Sequence, residues 1–430
     1  MTSDLIIKQV LNILCEEIIP AEGCTEPIAI AYTASRAVDI LGDLPDKLDI
    51  YVSGNMVKNV KSAIVPNSGG MSGIESAAAL GAFGGNSKKK LLVISNVEEE
   101  DVKKARGFIK EGNVNVKLID SDIKLYVKVV AHHMEESASV EIKHIHTNIT
   151  EVTKDGKVII SRPCNDADFN SSLSDREILS VQLIYEMAKT IDVDLIEPIF
   201  SKVVQLNSAI ANEGLNEVYG ANIGTMIQEN INKGVYGDDS RNRAASFAAA
   251  GSDARMSGCP LPVMTTSGSG NQGITASLPI VSYCRDKNIS GEKMIRALFL
   301  SHALTIHIKT NVGRLSAYCG AVCAAAGVGG ALAFLENGDL KAVEDALTNT
   351  LANISGLICD GAKASCAFKI ATGIYAAFDS AMLALDRRVF NPADGIVSKN
   401  IEETIKNIGR LSQEGMAETD KVILDIMSTI

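Results

Sequence analysis

The stretch "PCNDADFNSSLSDRE" (Pro163–Glu177) is where the chain changes texture. It is a polar linker, and Ser174 with Glu177 has the spacing of a capping box for a helix beyond it. Upstream, apolar residues recur with period two in "LDIYVSG" (Leu48–Gly54), "NVNVKLID" (Asn113–Asp120), "LYVKVVAHHM" (Leu125–Met134), "ASVEIKHIHTNITEV" (Ala138–Val152) and "GKVIISR" (Gly156–Arg162). That is the pattern of half-buried strands, with a turn at Lys154-Asp155-Gly156. "LLVISNV" (Leu91–Val97) reads as one more buried strand, and "EEEDVKKARGFIKEG" (Glu98–Gly112) as an amphipathic helix. Downstream, β-branched alternation gives way to Ala, Leu, Ile, Met and Gly at helical spacing. The expected fold class is therefore α+β, a mixed α/β domain at 46–163 followed by a large all-α, Gly/Ala-rich domain at 175–430. Residues 1–45 read as an N-terminal helical segment packing on that large domain, opening with "SDLIIKQVLNILCEEI" and Ser3 or Asp4 as its N-cap.

The chain has 430 residues and is 46% hydrophobic, enough to bury a large core. A net charge of -11, with no basic stripe, argues against nucleic acid as a partner. The N-terminus lacks a charged leader and a small-residue cleavage site, so it does not read as a signal peptide. The most apolar stretch, "CGAVCAAAGVGGALAFL" (Cys319–Leu335), is short and built of small residues, which suits a tightly packed buried helix better than a membrane span. A cytoplasmic protein is expected, with no membrane partner and with room for a homodimer. Nine cysteines at uneven spacing then argue against a disulfide framework.

Four stretches break the pattern of core and surface. "EGCTEPIAIA" (Glu22–Ala31) is a loop feeding a helix, with Thr25 as cap and Pro27 in the first turn. A thiol at Cys24, beside a helix N-terminus, should have a lowered pKa. "SGNMVKN" (Ser53–Asn59) and "PNSGG" (Pro66–Gly70) are two Ser/Asn/Gly loops, and "SGSGNQG" (Ser267–Gly273) opens a helix. Backbone N–H groups in such places hold carboxylates, although ordinary turns look the same. The residues singled out for substrate are Ser53, Asn55, Asn67, Ser68, Gly270 and Asn271. No phosphate-loop or dinucleotide spacing is present. The last stretch holds thiols flanked by small residues in "YCGAVCAAAG" (Tyr318–Gly327) and "CDGAKASC" (Cys359–Cys366), with Cys323 a rival to Cys319 one turn on. Three thiolates around an iron–sulfur cluster would leave one iron open; buried filler is the plainer reading of the remaining thiols, Cys15, Cys164 and Cys284. His144 and His146 read as sharing a strand face, with His132 and His133 nearby, and His302 or His307 as a donor or proton carrier near the cysteines.

Together these stretches resemble the L-cysteine desulfidase family, related to the iron–sulfur L-serine dehydratases. The resemblance implies that Cys319, Cys359 and Cys366 hold a [4Fe–4S] cluster and that Cys24 is the catalytic thiol. It implies elimination of sulfide from L-cysteine, giving pyruvate and ammonia, with a small amino acid as the partner molecule. Serine dehydratases carry a Ser-Ser-His-Thr-x-Gly-Pro type stretch where this chain has Gly23-Cys24-Thr25-Glu26-Pro27, and they space their second and third cluster cysteines more widely. Both departures tilt the expectation from serine to cysteine. No lysine stands in a recognisable Schiff-base setting, so pyridoxal phosphate is not expected.

Overall fold

A computed structural model describes residues 4–162, 164–171 and 173–429. Helix α1 (Asp4–Glu17) leads through the two-residue strand β1 (Pro20–Ala21) to α2 (Thr25–Leu41). Asp4 is the first helical residue of α1, and Ser3 lies outside the described residues. Strand β2 (Lys47–Val52), the short α3 (Gly54–Val60), α4 (Gly73–Gly84), α5 (Glu99–Lys110) and β3 (Val114–Leu118) follow, then β4 (Tyr126–His133), β5 (Glu136–Lys143), β6 (Ile149–Lys154) and β7 (Lys157–Ser161).

The six long strands form one sheet in the order β3-β2-β4-β5-β6-β7, parallel only between β2 and β3. Its inward row is set by the alternation: Leu48, Ile50 and Val52 pair directly with Ala131, Val129 and Val127 across β2 and β4. All six are buried, and each large side chain in such a row contributes about 1.5–3 kcal/mol relative to exposure. Helices α2 and α4 cross closely beside this sheet. A Cβ on Gly81 would lie 2.2 Å from the Ala31 carbonyl oxygen, so only glycine permits that approach.

Beyond the linker stand α6 (Val181–Thr190), α7 (Glu197–Asn216), α8 (Ile223–Asn232), α9 (Ser240–Met256), the two-residue β8 (Val263–Met264), α10 (Gly270–Asp286), α11 (Gly291–Val312), α12 (Gly320–Leu335), α13 (Leu340–Ile354), α14 (Cys366–Leu385), α15 (Ile401–Arg410) and α16 (Ala417–Thr429). The fold class is α+β, as the texture change predicts. Among the described residues, one helix, Cys366–Leu385, has the length and composition of a membrane span; 56% of its most apolar window is buried inside the protein. The sheet-side helices and the C-terminal helices have separate cores. A third, small cluster of Cys24, Ala63 and Met256, with Ala362 and Cys366 against it, sits where the two halves meet.

Three local readings need correction. Leu91–Val97 is not a strand: a 3-10 turn at Ser87–Leu92 runs into further turns, and its backbone bonds go to Glu22 and Asn86 instead of a sheet edge. Ser174 caps no helix; its hydroxyl donates to the Glu16 carboxylate at 2.6 Å, and the cap of α6 is Ser180. Residues 1–45 do not act as one segment. Val10, Ile13, Leu14 and Ile18 bury in the helical core, whereas α2 buries against the sheet. The antiparallel pairing of Pro20–Ala21 with Val263–Met264 marks the crossing point.

Candidate active site

A cavity of about 730 Å³, counting its open mouth, lies at that junction. Cys24, Cys319, Cys359 and Cys366 all line it, with Asn271, Glu26, Asn59, Arg255 and Lys309. Local structure explains how distant thiols arrive together. The Cys319 N–H donates to the Leu357 carbonyl at 3.1 Å and the Cys359 N–H to the Ala317 carbonyl at 2.6 Å, which zips the two cysteine loops side by side. Cys366 is the first residue of α14. Cys24 and Cys319 are the N-caps of α2 and α12, each without a side-chain cap. Ser269, the N-cap of α10, lines the same cavity. Four helix N-termini therefore border one space, each carrying unpaired N–H groups and the positive end of a helix dipole.

Charge adds to this. Arg314 is matched by Glu17 at 2.8 Å and Lys369 by Asp360 at 2.6 Å. Arg255 and Lys309 are buried and have no ion-pair partner among the described residues. Glu26 is the acidic lining residue; it accepts from the Asn59 amide at 3.2 Å and faces the His146 ring at 3.9 Å. Burial works to raise the Glu26 carboxyl, but the nearby His146 ring and the Arg255 charge outweigh it and hold it below its usual range.

The thiols behave differently from the sequence-based expectation. Burial pushes Cys24 up to about 12, and the helix terminus does not compensate. Cys319 is likewise pushed up to about 12, by burial first and then by the nearby Cys359. All nine thiols are free. Cys323, the rival one turn along, is fully buried and does not line the cavity. A [4Fe–4S] cluster needs three thiolates, room beside small residues, and a positive setting for its negative charge. The cavity offers three cysteine sulfurs, Cys319, Cys359 and Cys366, with room beside Gly320, Ala321, Gly361 and Ala362, and the buried Arg255 and Lys309 line it as well. The residues present fit the group.

Of the two predicted Ser/Asn/Gly loops, only Asn59 reaches the cavity; Ser53, Asn55, Asn67 and Ser68 lie elsewhere. The Ser53 hydroxyl caps nothing and donates to the Lys124 carbonyl at 2.6 Å. Asn55 is half-buried in α3 with an unpartnered amide nitrogen, outside this cavity. The Asn67 amide donates to the Ile94 carbonyl at 3.1 Å, and Ser68 closes its own turn onto Val65 and Met71. Their polar groups are spent on backbone. The Pro66 ring instead packs beneath Gly23, where a Cβ would come within 2.3 Å of it, so this turn buttresses the Cys24 loop. Thr25 does not cap α2; its hydroxyl donates to the Gly268 carbonyl at 2.8 Å.

The histidines also move. His144 and His146 are off the strands, because β5 ends at Lys143 and His144 has φ +64°. His144, Cys164 and Asp166 offer ligand atoms within 4.8 Å of one another, a separate group with the chemistry to hold one metal ion. His302 is buried, is pushed down to about 3 by that burial, and shares a hydrogen bond with Thr266. His307 pairs with Glu402 at 2.7 Å. Neither lines the cavity. Arg255 and Lys309 were not legible as site residues. The one available signal was an arginine ending the otherwise small-residue helix "SFAAAGSDARM".

The family model described as serine dehydratase alpha chain matches residues 88–425. The chain belongs to the serine dehydratase alpha-chain family. The UPF0597 protein FN1147 of Fusobacterium nucleatum is 59% identical over 98% of this chain and 99% of its own length. A UPF0597 protein of Lachnoclostridium phytofermentans is 43% identical over 98% and 99%, and one of Treponema denticola 43% over 98% and 97%. The serine dehydratase match takes in Arg255, Lys309 and the three cavity cysteines of the helical half, and begins beyond Cys24 and the 53–70 loops.

Proposed function

We propose that the protein is an iron–sulfur-dependent lyase that eliminates sulfide from L-cysteine to give pyruvate, ammonia and sulfide, with Cys319, Cys359 and Cys366 holding a [4Fe–4S] cluster. The observation that carries this reading is the convergence of those three thiols with Cys24 on one positively bordered cavity. When bound, such a cluster supplies an iron with an open coordination position, a Lewis acid towards a leaving sulfur.

The chain's own residues handle the rest. Cys24, the N-cap of α2, and Glu26, two residues on, both line the cavity and are assigned proton transfer at the substrate Cα. Loss of that proton and cleavage of the Cβ–sulfur bond leave aminoacrylate and hydrosulfide; aminoacrylate tautomerises and hydrolyses to pyruvate and ammonia. Lys309 offsets negative charge beside Cys319 and Cys359. Serine dehydration is the second reading, favoured by the description of the matching family.

Anaerobic reconstitution tests this. Iron and sulfide near four per chain are expected, with pyruvate formed faster from cysteine than from serine. Cys359→Ser and Cys366→Ser should lose both iron and turnover, whereas Cys24→Ser should keep iron and lose turnover. Faster pyruvate formation from serine would overturn the desulfidase reading, and a zinc-loaded, iron-free protein would overturn the lyase reading.

A further inference from the structure

We infer that Arg255, together with the N-terminus of α10, is the subsite that takes the carboxylate of the amino-acid substrate in this cavity; this rests on the cavity being the active site. Arg255 ends α9, is 3% exposed, and lines the cavity, yet its Nε has no partner and its guanidinium forms no hydrogen bond or ion pair among the described residues. A buried guanidinium without an acceptor is costly, and a carboxylate is the group its planar fork fits. It crosses α10 at Gly270, where a Cβ would lie 2.2 Å from its Nε. Gly270 therefore acts by making way for the arginine, and Ser269, Asn271 and Gln272 carry the helix terminus into the lining.

The acceptors complete the pattern. The Asn59 amide nitrogen donates to Glu26, which leaves its buried Oδ1 as an unpartnered acceptor. Gln272 Oε1 is a second buried acceptor without a partner. Both residues line the cavity beside the Glu26 carboxylate. Unpaired donors with positive charge, and unpaired acceptors with negative charge, complement a carboxylate and an ammonium held by one molecule. A simple carboxylic acid would leave the acceptors unpaired, and an amine without a carboxylate would leave Arg255 unpaired.

The probes are L-alanine, which has no leaving group, L-alaninamide and propionate, titrated calorimetrically into the cluster-loaded protein. Alanine should bind at least about 10-fold tighter than either analogue, as expected for one charge-assisted bond. Arg255→Gln should weaken alanine by about 10- to 100-fold and abolish its preference over alaninamide, with iron content and melting temperature retained. Gly270→Ala, which keeps the arginine in the sequence but pushes its side chain aside, should weaken alanine in the same direction. If Arg255→Gln and Gly270→Ala both bind alanine like wild type, or if alaninamide and propionate match alanine, the inference is overturned. Arginine-dependent alanine binding without sulfide or pyruvate formation would sink the proposed reaction and leave the subsite standing.

Discussion

Glu22 shows what one carboxyl does when the chain buries it beside the Cys24 loop. It is 2% exposed, its Oε2 has no partner, and burial raises its pKa from 4.5 to about 7 despite Lys89 nearby. The folded state thus prefers the protonated acid. That contribution is fully present below pH about 4.5 and is lost as pH rises through about 7, amounting to about 3 kcal/mol at most. Glu22→Gln imitates the protonated form. Urea unfolding at pH 5 and pH 8 should show near-equal stability at the lower pH and a more stable variant at the higher one; parallel pH profiles would mean Glu22 is ionised throughout. At this scale the thiols were legible because Cys24, Cys319 and Cys366 stand beside Gly, Ala or Ser, and Cys359 two residues before Gly361, in otherwise ordinary segments. Arg255 was not, because its isolation depends on α9 crossing α10 at Gly270, a tertiary event with no local pattern. The raised Cys24 pKa was illegible for the same reason, since burial outweighs a helix terminus that sequence does show.

At the scale of elements, the last helix holds the cysteine loops in register. Lys58 of α3 and Asp420 of α16 form a buried ion pair at 2.6 Å. The Lys58 ammonium also donates to the Cys359 carbonyl at 3.1 Å, and Asp420 accepts the Ala317 N–H at 3.1 Å. One pair therefore grips the backbone of both loops that carry cavity thiols. Asp420→Ala leaves Lys58 buried and uncompensated, with an expected loss of about 3–5 kcal/mol. Urea unfolding should show that loss, and iron per chain should fall with it. A Lys58→Met/Asp420→Leu double variant removes both charges and should recover most of the stability; failure to recover would place the effect elsewhere than the pair. In sequence, Asp420 is one acid among several in the amphipathic stretch "SKNIEETIKNIGRLSQEGMAETDKVILDIM" (Ser398–Met427), and nothing local marks its partner 362 residues away. The strands were legible where inward residues alternate, as in Leu48, Ile50 and Val52. Leu91–Val97 is not a strand although it opens with the apolar run Leu91–Ile94, because such a run reports burial and not backbone conformation.

Across the whole molecule, the polar linker at 163–177 separates two textures without separating two independent bodies. Helix α1 belongs to the helical core, with Val10, Ile13 and Leu14 each 1% exposed. Glu17 at its end accepts from Arg176 at 2.8 Å and Arg314 at 2.8 Å, both from the helical half. The cavity likewise takes Cys24, Glu26 and Asn59 from one side and Arg255, Lys309 and three cysteines from the other. A fragment spanning residues 175–430 keeps Cys319, Cys359 and Cys366 but exposes the apolar surface that α1 covers and leaves Arg176 and Arg314 without Glu17. Burying Val10, Ile13, Leu14 and Ile18 is worth several kcal/mol at about 1.5–3 kcal/mol each, a large part of an ordinary domain's net stability. Expressed alone, that fragment should lack a cooperative thermal transition. Adding residues 1–163 in trans should restore the transition and cavity-dependent iron retention, whereas a peptide of residues 1–20 should restore the transition alone. A fragment that unfolds cooperatively by itself would show that the helical half is autonomous and that α1 merely decorates it.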